Sequence, residues 1–198
     1  MSSDNLSLNP PMGNPLTNFI GFQIGWLVAV LGAARGYPFL GPVYALIWLW
    51  LHIRFATVDR AGELIIVVGA MLVGFVFDSL LVLSGVIAFP PHTRLGAPTT
   101  LWMLSLWAMF ASTLRHSMGW LINRYVLGMV LGAVFGPVAY WAGERLAAIE
   151  LIHGSGSLLW VAVEWGVAIP ALLFIAVCCR PAHRRTTNDL DTPTQPGE

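Results

Sequence analysis

Two carboxyl groups and one carboxamide interrupt the apolar segments of this sequence, and they are the residues that could do chemistry. Asp78 lies in GFVFDSLLVL, Glu164 in VEWG and Gln23 in FQIGW. An ionised Asp at the centre of a membrane helix costs roughly 2.5 to 3.5 kcal/mol on insertion scales, so such residues normally face protein or a cavity. Each of the three therefore needs a reason in packing or in function.

Burial favours the uncharged form of a carboxyl group, and a second carboxyl nearby favours it further. We therefore expect Asp78 to be protonated at neutral pH unless an arginine reaches it, and Arg35 and Arg145 are the nearest candidates by height. Because aromatic faces attract cations, the ligand-binding set that we predict joins the polar residues to two neighbouring tryptophans: Asp78, Glu164, Gln23, Trp26 and Trp165.

Each of these polar residues also has a purely structural interpretation. A hydrogen bond to a facing helix would be enough to explain Asp78, and the same holds for Glu164 and Gln23. Asp78 shares its helical face with Gly74 and Gly85, which predicts a closely packed protein neighbour on that side. Gln23 lies opposite the small residues of its own helix, which predicts a central helix with protein on both sides.

The elements that must position these residues are membrane helices. The chain has 198 residues, of which 57% are hydrophobic and 10% charged, with a mean hydropathy of +0.72, far from the balance of soluble domains. The sequence predicts an all-α bundle of six transmembrane helices over residues 16–179, between disordered tails at 1–15 and 180–198. The spans expected from run length are Leu16–Ala34, Tyr37–Phe55, Gly62–Phe89, Pro98–His116, Gly119–Gly143 and Ser157–Cys179.

Arginines set the expected orientation, because cytoplasmic loops are enriched in positive charge. Six spans place both termini on one side, and that side carries Arg54, Arg60, Arg115, Arg124, Arg180, Arg184 and Arg185. The other side carries Arg35, Arg94 and Arg145. We therefore expect both termini in the cytoplasm and membrane lipids as the surroundings of the chain.

Small residues at helical spacing predict close packing between helices. The fifth span carries Gly128, Gly132 and Gly136, and the first span carries Gly21 and Gly25. Packing inside one chain is the simpler interpretation of both stripes. A homodimer or a partner membrane protein is the alternative.

The sequence lacks the motifs that are typical of metal, phosphate or dinucleotide binding. The histidines do not have a paired metal spacing, and phosphate-loop, nucleophile-elbow and dinucleotide motifs are absent, so we predict neither a metal nor a cofactor. A clustered basic face of the kind that binds nucleic acid is absent too. Adjacent Cys178 and Cys179 are interpreted as small apolar residues.

Three stretches carry a resemblance to a known family: NFIGFQIGW at residues 18–26, the Asp78 segment, and GPVAYWAG at residues 136–143. They resemble small bacterial inner-membrane proteins catalogued as domain of unknown function 2878, over roughly Leu16 to Cys179. The resemblance implies a bacterial inner-membrane location, without an assigned reaction or catalytic residues. It also carries a loose association with membrane-lipid modification.

Three functions fit these observations. The first is binding or transport of a small amphipathic or cationic ligand through an outward-facing cavity within the membrane. The second is an intramembrane enzyme or accessory protein in lipid modification, with Asp78 and Glu164 as acid and base. The third is a structural or assembly subunit, for which the glycine stripes would bind a partner helix.

Overall fold

The structure is a computed structural model that describes residues 14–179. Its architecture is a bundle of six α-helices: α1 (Pro15–Ala34), α2 (Leu40–Phe55), α3 (Arg60–Leu83), α4 (Leu101–Ala111), α5 (Tyr125–Arg145) and α6 (Ser155–Cys178). The predicted all-α class is confirmed. The predicted tails lie, apart from residues 14 and 15, outside the described residues.

Helix length separates the six helices into two groups. In the described part of the chain, α1, α3, α5 and α6 are long and apolar enough to cross a membrane, whereas α2 and α4 are shorter. At 1.5 Å per residue, the 11 residues of α4 extend about 16 Å. The expected full-length span Pro98–His116 is therefore wrong: buried turns follow α4, and a segment with a short 3₁₀ turn precedes it.

The central helix of the bundle is α4. It packs against α1, α2 and α3, and most of its side chains are buried, including Trp102, Trp107 and Met109. On the far side, α6 packs against α3 and α5. The prediction that α1 is central is wrong, because its buried face is the glycine face and Gln23 on the opposite face is exposed.

Gly85 ends α3 instead of extending its packing face. Its φ of 72° is easily adopted only by glycine, and the N–H groups of Gly85 and Val86 bond back to Val82 and Leu81 at 3.1 and 2.9 Å. These two backbone hydrogen bonds form a Schellman motif, which terminates a helix. The expected span to Phe89 is therefore too long by about one and a half turns.

Two very short strands tie the loops together at this end of the bundle. β1 (Ile87–Ala88) pairs antiparallel with β2 (Glu150–Leu151). The hydroxyl of Ser157 at the start of α6 donates to the carbonyl of Val86 at 2.7 Å. The loops that follow α3 and α5 are thereby fixed to one another and to α6.

The glycine stripes lie between helices of this chain. A Cβ added at Gly128 would lie 2.8 Å from a methyl group of Leu173, and one added at Gly132 would lie 2.9 Å from the carbonyl carbon of Trp165, both on α6. Gly136 faces the indole of Trp165. In the same way, Gly21 faces Trp48, and a Cβ at Gly25 would lie 2.5 Å from the sulfur of Met109. Both glycine stripes therefore pack against other helices of the same chain.

Candidate functional site

Asp78 lies in the last third of α3, five residues before the end of the helix at Leu83, and is fully buried. Its two carboxyl oxygens accept hydrogen bonds from different helices: the indole N–H of Trp107 on α4 donates at 2.7 Å, and the hydroxyl of Tyr140 on α5 donates to the other oxygen. The predicted protein-facing position of Asp78 is confirmed. Its observed partners are neutral donors and not the arginines considered from the sequence.

Glu164 projects from α6 and is only 5% exposed. Neither of its carboxyl oxygens has a hydrogen-bond partner within the described residues. Glu164 directly precedes Trp165, whose ring contacts the rings of Trp107 and Tyr140, the two donors to Asp78. An ionised carboxylate is very costly to bury in this way, whereas a protonated acid is much less so. Asp78 and Glu164 together are called the acid pair below.

Three aromatic side chains are called the aromatic frame below: Trp107 and Tyr140, which donate to Asp78, and Trp165, whose ring contacts both of theirs. The indoles of Trp107 and Trp165 are stacked with their centroids 4.6 Å apart and an angle of 19° between planes. The ring of Tyr140 meets Trp165 edge to face at 6.5 Å. Glycines make room for the frame, because Gly74 on α3 lies directly against Trp107.

The structure brings together only part of the ligand-binding set predicted from the sequence. Asp78, Glu164 and Trp165 lie in one buried region, whereas Gln23 is exposed on α1 and Trp26 is half-buried beside the core. The reason is the helical face: the neighbours of α1 lie along Gly21 and Gly25, and Gln23 points away from them. The placement of Gln23 with the acid pair is therefore wrong.

Sequence reasoning did not identify Trp107 and Tyr140. Trp107 belongs to an apolar helix with several buried aromatic residues, and nothing in its spacing distinguishes it. Tyr140 had a weak signal, because it lies one helical turn after Gly136 on the packed face of α5. A tyrosine hydroxyl on the glycine-lined face of a helix can therefore indicate the hydrogen-bond partner of a buried carboxyl group.

Two surface grooves lie away from the acid pair. One of about 560 Å³ is lined by Pro90, Glu144 and Glu150 at the end that carries the strands. The other, of about 320 Å³, runs between α1 and α2 beside Leu27 and Arg35. Neither groove includes Asp78 or Glu164, and both side chains are buried in this conformation.

A second set of polar side chains, called the histidine cluster below, lies at the end of the bundle where α2 ends and α3 begins. His52 lies in the last turn of α2, Glu63 lies in the first turn of α3, and His116 follows α4. His52 Nε2 and Glu63 Oε1 are 3.0 Å apart, and the two imidazole rings meet edge to face at 4.5 Å. Within the described residues, these three side chains offer donor atoms that all lie within 4.8 Å of one another.

Arg115 closes the cluster on one side. Its guanidinium pairs with Asp59 at 3.1 Å, lies 3.8 Å from Glu63 Oε2, and donates to the carbonyl oxygen of Cys179. The backbone N–H of Gly62 and the Arg115 guanidinium hold the pKa of Asp59 below its usual value. Asp59 also caps α3, so this ion pair fixes the start of that helix.

Together these features define a polytopic α-helical membrane protein with a buried acid pair among its helices. The family model described as protein of unknown function DUF2878 matches residues 15–171, and the chain belongs to this family. The resemblance noted in the sequence is thereby confirmed. The comparisons with curated proteins and with solved structures found no match.

Proposed function

We propose that this protein transports a small cationic or amphipathic ligand across the membrane, using the acid pair as an exchangeable proton site. The observation that carries the proposal is Glu164, whose two buried carboxyl oxygens lack hydrogen-bond partners in the described chain. Buried polar groups are nearly always satisfied, and exceptions tend to mark functional positions. Glu164 is also one of three buried acids among the described residues, with Glu63 and Asp78, and buried acids within a membrane bundle are characteristic of proton and ion pathways.

The hydrogen bonds favour an unequal division of charge in the acid pair. Asp78 accepts from Trp107 and Tyr140, and donors on both oxygens stabilise a carboxylate. Glu164 has no such donors and holds the proton in this proposal. Release of that proton leaves two negative charges close together, which a bound cation can offset.

The aromatic frame supports a cationic ligand. Faces of Trp and Tyr rings attract cations, and the strength grows when the site is shielded from water. In the present conformation Trp107 and Trp165 are stacked on each other, so their facing surfaces are covered. In our proposal, the ligand enters when α5 and α6 move relative to α3 and α4, and it then takes the place of this stacking contact.

The alternatives have less support. An enzyme acting on lipids needs acid and base groups that reach a substrate, whereas Asp78 and Glu164 are 0% and 5% exposed. An assembly subunit would present its glycine stripes to a partner, but Gly132 and Gly25 already contact helices of the same chain. For both reasons we favour transport.

A location in the bacterial inner membrane, with both termini in the cytoplasm, is part of the proposal. Four arginines belong to the end of the bundle where α1 begins, if successive helices alternate in direction: Arg54 in the last turn of α2, Arg60 at the start of α3, Arg115 after α4 and Arg124 before α5. Arg35, Arg94 and Arg145 lie at the other end. The enrichment of arginine on the cytoplasmic side of membrane proteins supports this orientation.

The test is proton movement in proteoliposomes that contain a pH-sensitive dye. Tetramethylammonium and tetraphenylphosphonium serve as a small and an amphipathic cation. We expect an inward gradient of at least one of them to drive proton efflux in the wild type and not in Asp78→Asn or Glu164→Gln. Gln23→Ala is the matched control, because it removes an exposed polar group of α1, and it should behave as wild type.

Two results would contradict the proposal. One is the same proton movement in both acid variants as in the wild type. The other is a wild-type protein that moves no protons with either cation while it remains folded in the vesicles.

A further inference from the structure

The histidine cluster has the composition of a metal site. It combines two imidazoles and one carboxylate, the set that binds zinc and other divalent transition metals and leaves further positions open. The donor atoms of His52, Glu63 and His116 lie within 4.8 Å of one another. A small inward movement of the side chains would bring them to the spacing of ligands around one ion, since metal–ligand bonds are about 2.0 to 2.2 Å long.

Burial and unsatisfied atoms provide the second observation. The side chains of His52 and Glu63 are 1% and 0% exposed, and His52 Nδ1, Glu63 Oε2 and His116 Nδ1 have no hydrogen-bond partner within the described residues. A purely structural His–Glu pair would be expected to satisfy these atoms. The other atom of each side chain has a partner, since His52 Nε2 meets Glu63 Oε1 at 3.0 Å and His116 Nε2 lies 3.4 Å from the carbonyl oxygen of Ala56. One unpartnered atom on each of three neighbouring buried or part-buried side chains indicates a missing ligand.

The fold brings the three together from separate segments. A short linker joins α2 to α3, and the last turn of α2 lies beside the first turn of α3, where His52 meets Glu63 at 3.0 Å. The turns after α4 then return His116 to the same place, and its ring packs against His52. This explains why the sequence shows no metal motif: the ligands do not share a helix or a loop.

We propose that His52, Glu63 and His116 bind one divalent transition-metal ion of the zinc class at this end of the bundle. The site is independent of the acid pair and of the transport proposal. Arg115 opposes it electrostatically, because its guanidinium lies 3.8 Å from Glu63 Oε2, but Asp59 offsets that charge at 3.1 Å. The ion would hold the ends of α2, α3 and α4 together.

The experiment is zinc binding by the full-length protein in detergent, first stripped with a chelator and then titrated in competition with a chromophoric zinc indicator. We expect one zinc ion per chain in the wild type. His116→Ala and Glu63→Gln should weaken binding by about 100-fold or more, beyond what loss of an outer-shell partner usually costs. Cobalt in place of zinc should give an absorption spectrum of a low-coordinate site, which His116→Ala abolishes.

Control variants remove several other residues that could bind zinc. His153→Ala removes an exposed histidine, His183→Ala removes one in the C-terminal tail, and Cys178→Ser with Cys179→Ser removes the free thiols. All should bind as wild type, and circular dichroism with size exclusion establishes that each variant is folded. The proposal is overturned if the folded wild type binds no zinc, or if a control variant loses as much affinity as His116→Ala.

Discussion

The interface between α5 and α6 allows a quantitative test of helix packing. Gly132 on α5 lies against the backbone of Trp165, and a Cβ added there would lie 2.9 Å from the carbonyl carbon. A backbone atom cannot rotate away, so α5 and α6 must separate in Gly132→Ala. Overpacking of this kind costs about 1 to 3 kcal/mol.

Gly166→Ala is the matched control in the same interface. A Cβ added at Gly166 on α6 would lie 3.6 Å from Ala133, an ordinary contact. Because both glycines lie inside helices, the gain in helix propensity on changing Gly to Ala is common to the two variants. The difference in their free energies of unfolding is therefore the steric cost at Gly132, about 1 to 3 kcal/mol.

Thermal unfolding in detergent, followed by circular dichroism, measures this difference. For a chain of this size, 1 kcal/mol corresponds to about 2 to 4 °C, so Gly132→Ala should unfold at a temperature about 2 to 12 °C below Gly166→Ala. Equal midpoints for the two variants would refute the packing of α5 against α6 at Gly132. Greater stability of Gly132→Ala would refute it more strongly.

Three further predictions concern individual polar contacts. Tyr140→Phe removes a donor to Asp78 and should cost about 1.5 to 3 kcal/mol, as for hydrogen bonds to charged groups, measured by thermal unfolding. Asn18→Ala should cost about 1 to 3 kcal/mol by the same measurement, because its amide joins α1 to the turn after α4 through the Ser112 carbonyl at 3.1 Å. Asp59 has a lowered pKa, so its contribution is present above pH 4 and is lost as the pH falls through the pKa of the folded state. The stability advantage of the wild type over Asp59→Asn should therefore shrink in acid, as followed by unfolding midpoints between about pH 7 and pH 3.

Each of these predictions has a control and a contradicting result. Tyr44→Phe removes a hydroxyl that donates to a neutral carbonyl at 2.9 Å, so an equal cost at Tyr140 would mean that Asp78 is not a charged acceptor. Gln23→Ala changes an exposed side chain and should stay within about 0.5 kcal/mol of wild type; an equally small effect at Asn18 would contradict its buried contacts. A constant difference between Asp59→Asn and wild type at all pH values would rule out the ion pair.

The fold class was predictable because a membrane requires long apolar segments with helical hydrogen bonding. The ends of the helices were less predictable. The α3 span was extended through Gly85, since a glycine inside an apolar run resembles a packing residue until its left-handed φ is known. The short α4 was missed because the residues next to it are uncharged and buried, and so were counted with the apolar run: Thr99 and Thr100 before it, and Ser112, Thr113 and Leu114 after it.

The candidate sites were predictable only as single residues. The cost of a buried charge was enough to identify Asp78 and Glu164, but the face of α1 that carries Gln23 could not be assigned without knowing its neighbours. The histidine cluster was missed for a related reason. His52 and His116 come from distant segments, and their approach depends on the packing of three helices that the sequence pattern does not specify.

Infrared spectroscopy of the protein in lipid bilayers tests the acid pair most directly, because a protonated carboxyl group has its own carbonyl stretching band. We predict such a band at neutral pH in the wild type, its loss in Glu164→Gln and its persistence in Asp78→Asn. A wild type without the band, or a band lost in Asp78→Asn and kept in Glu164→Gln, would contradict the assignment of the proton to Glu164.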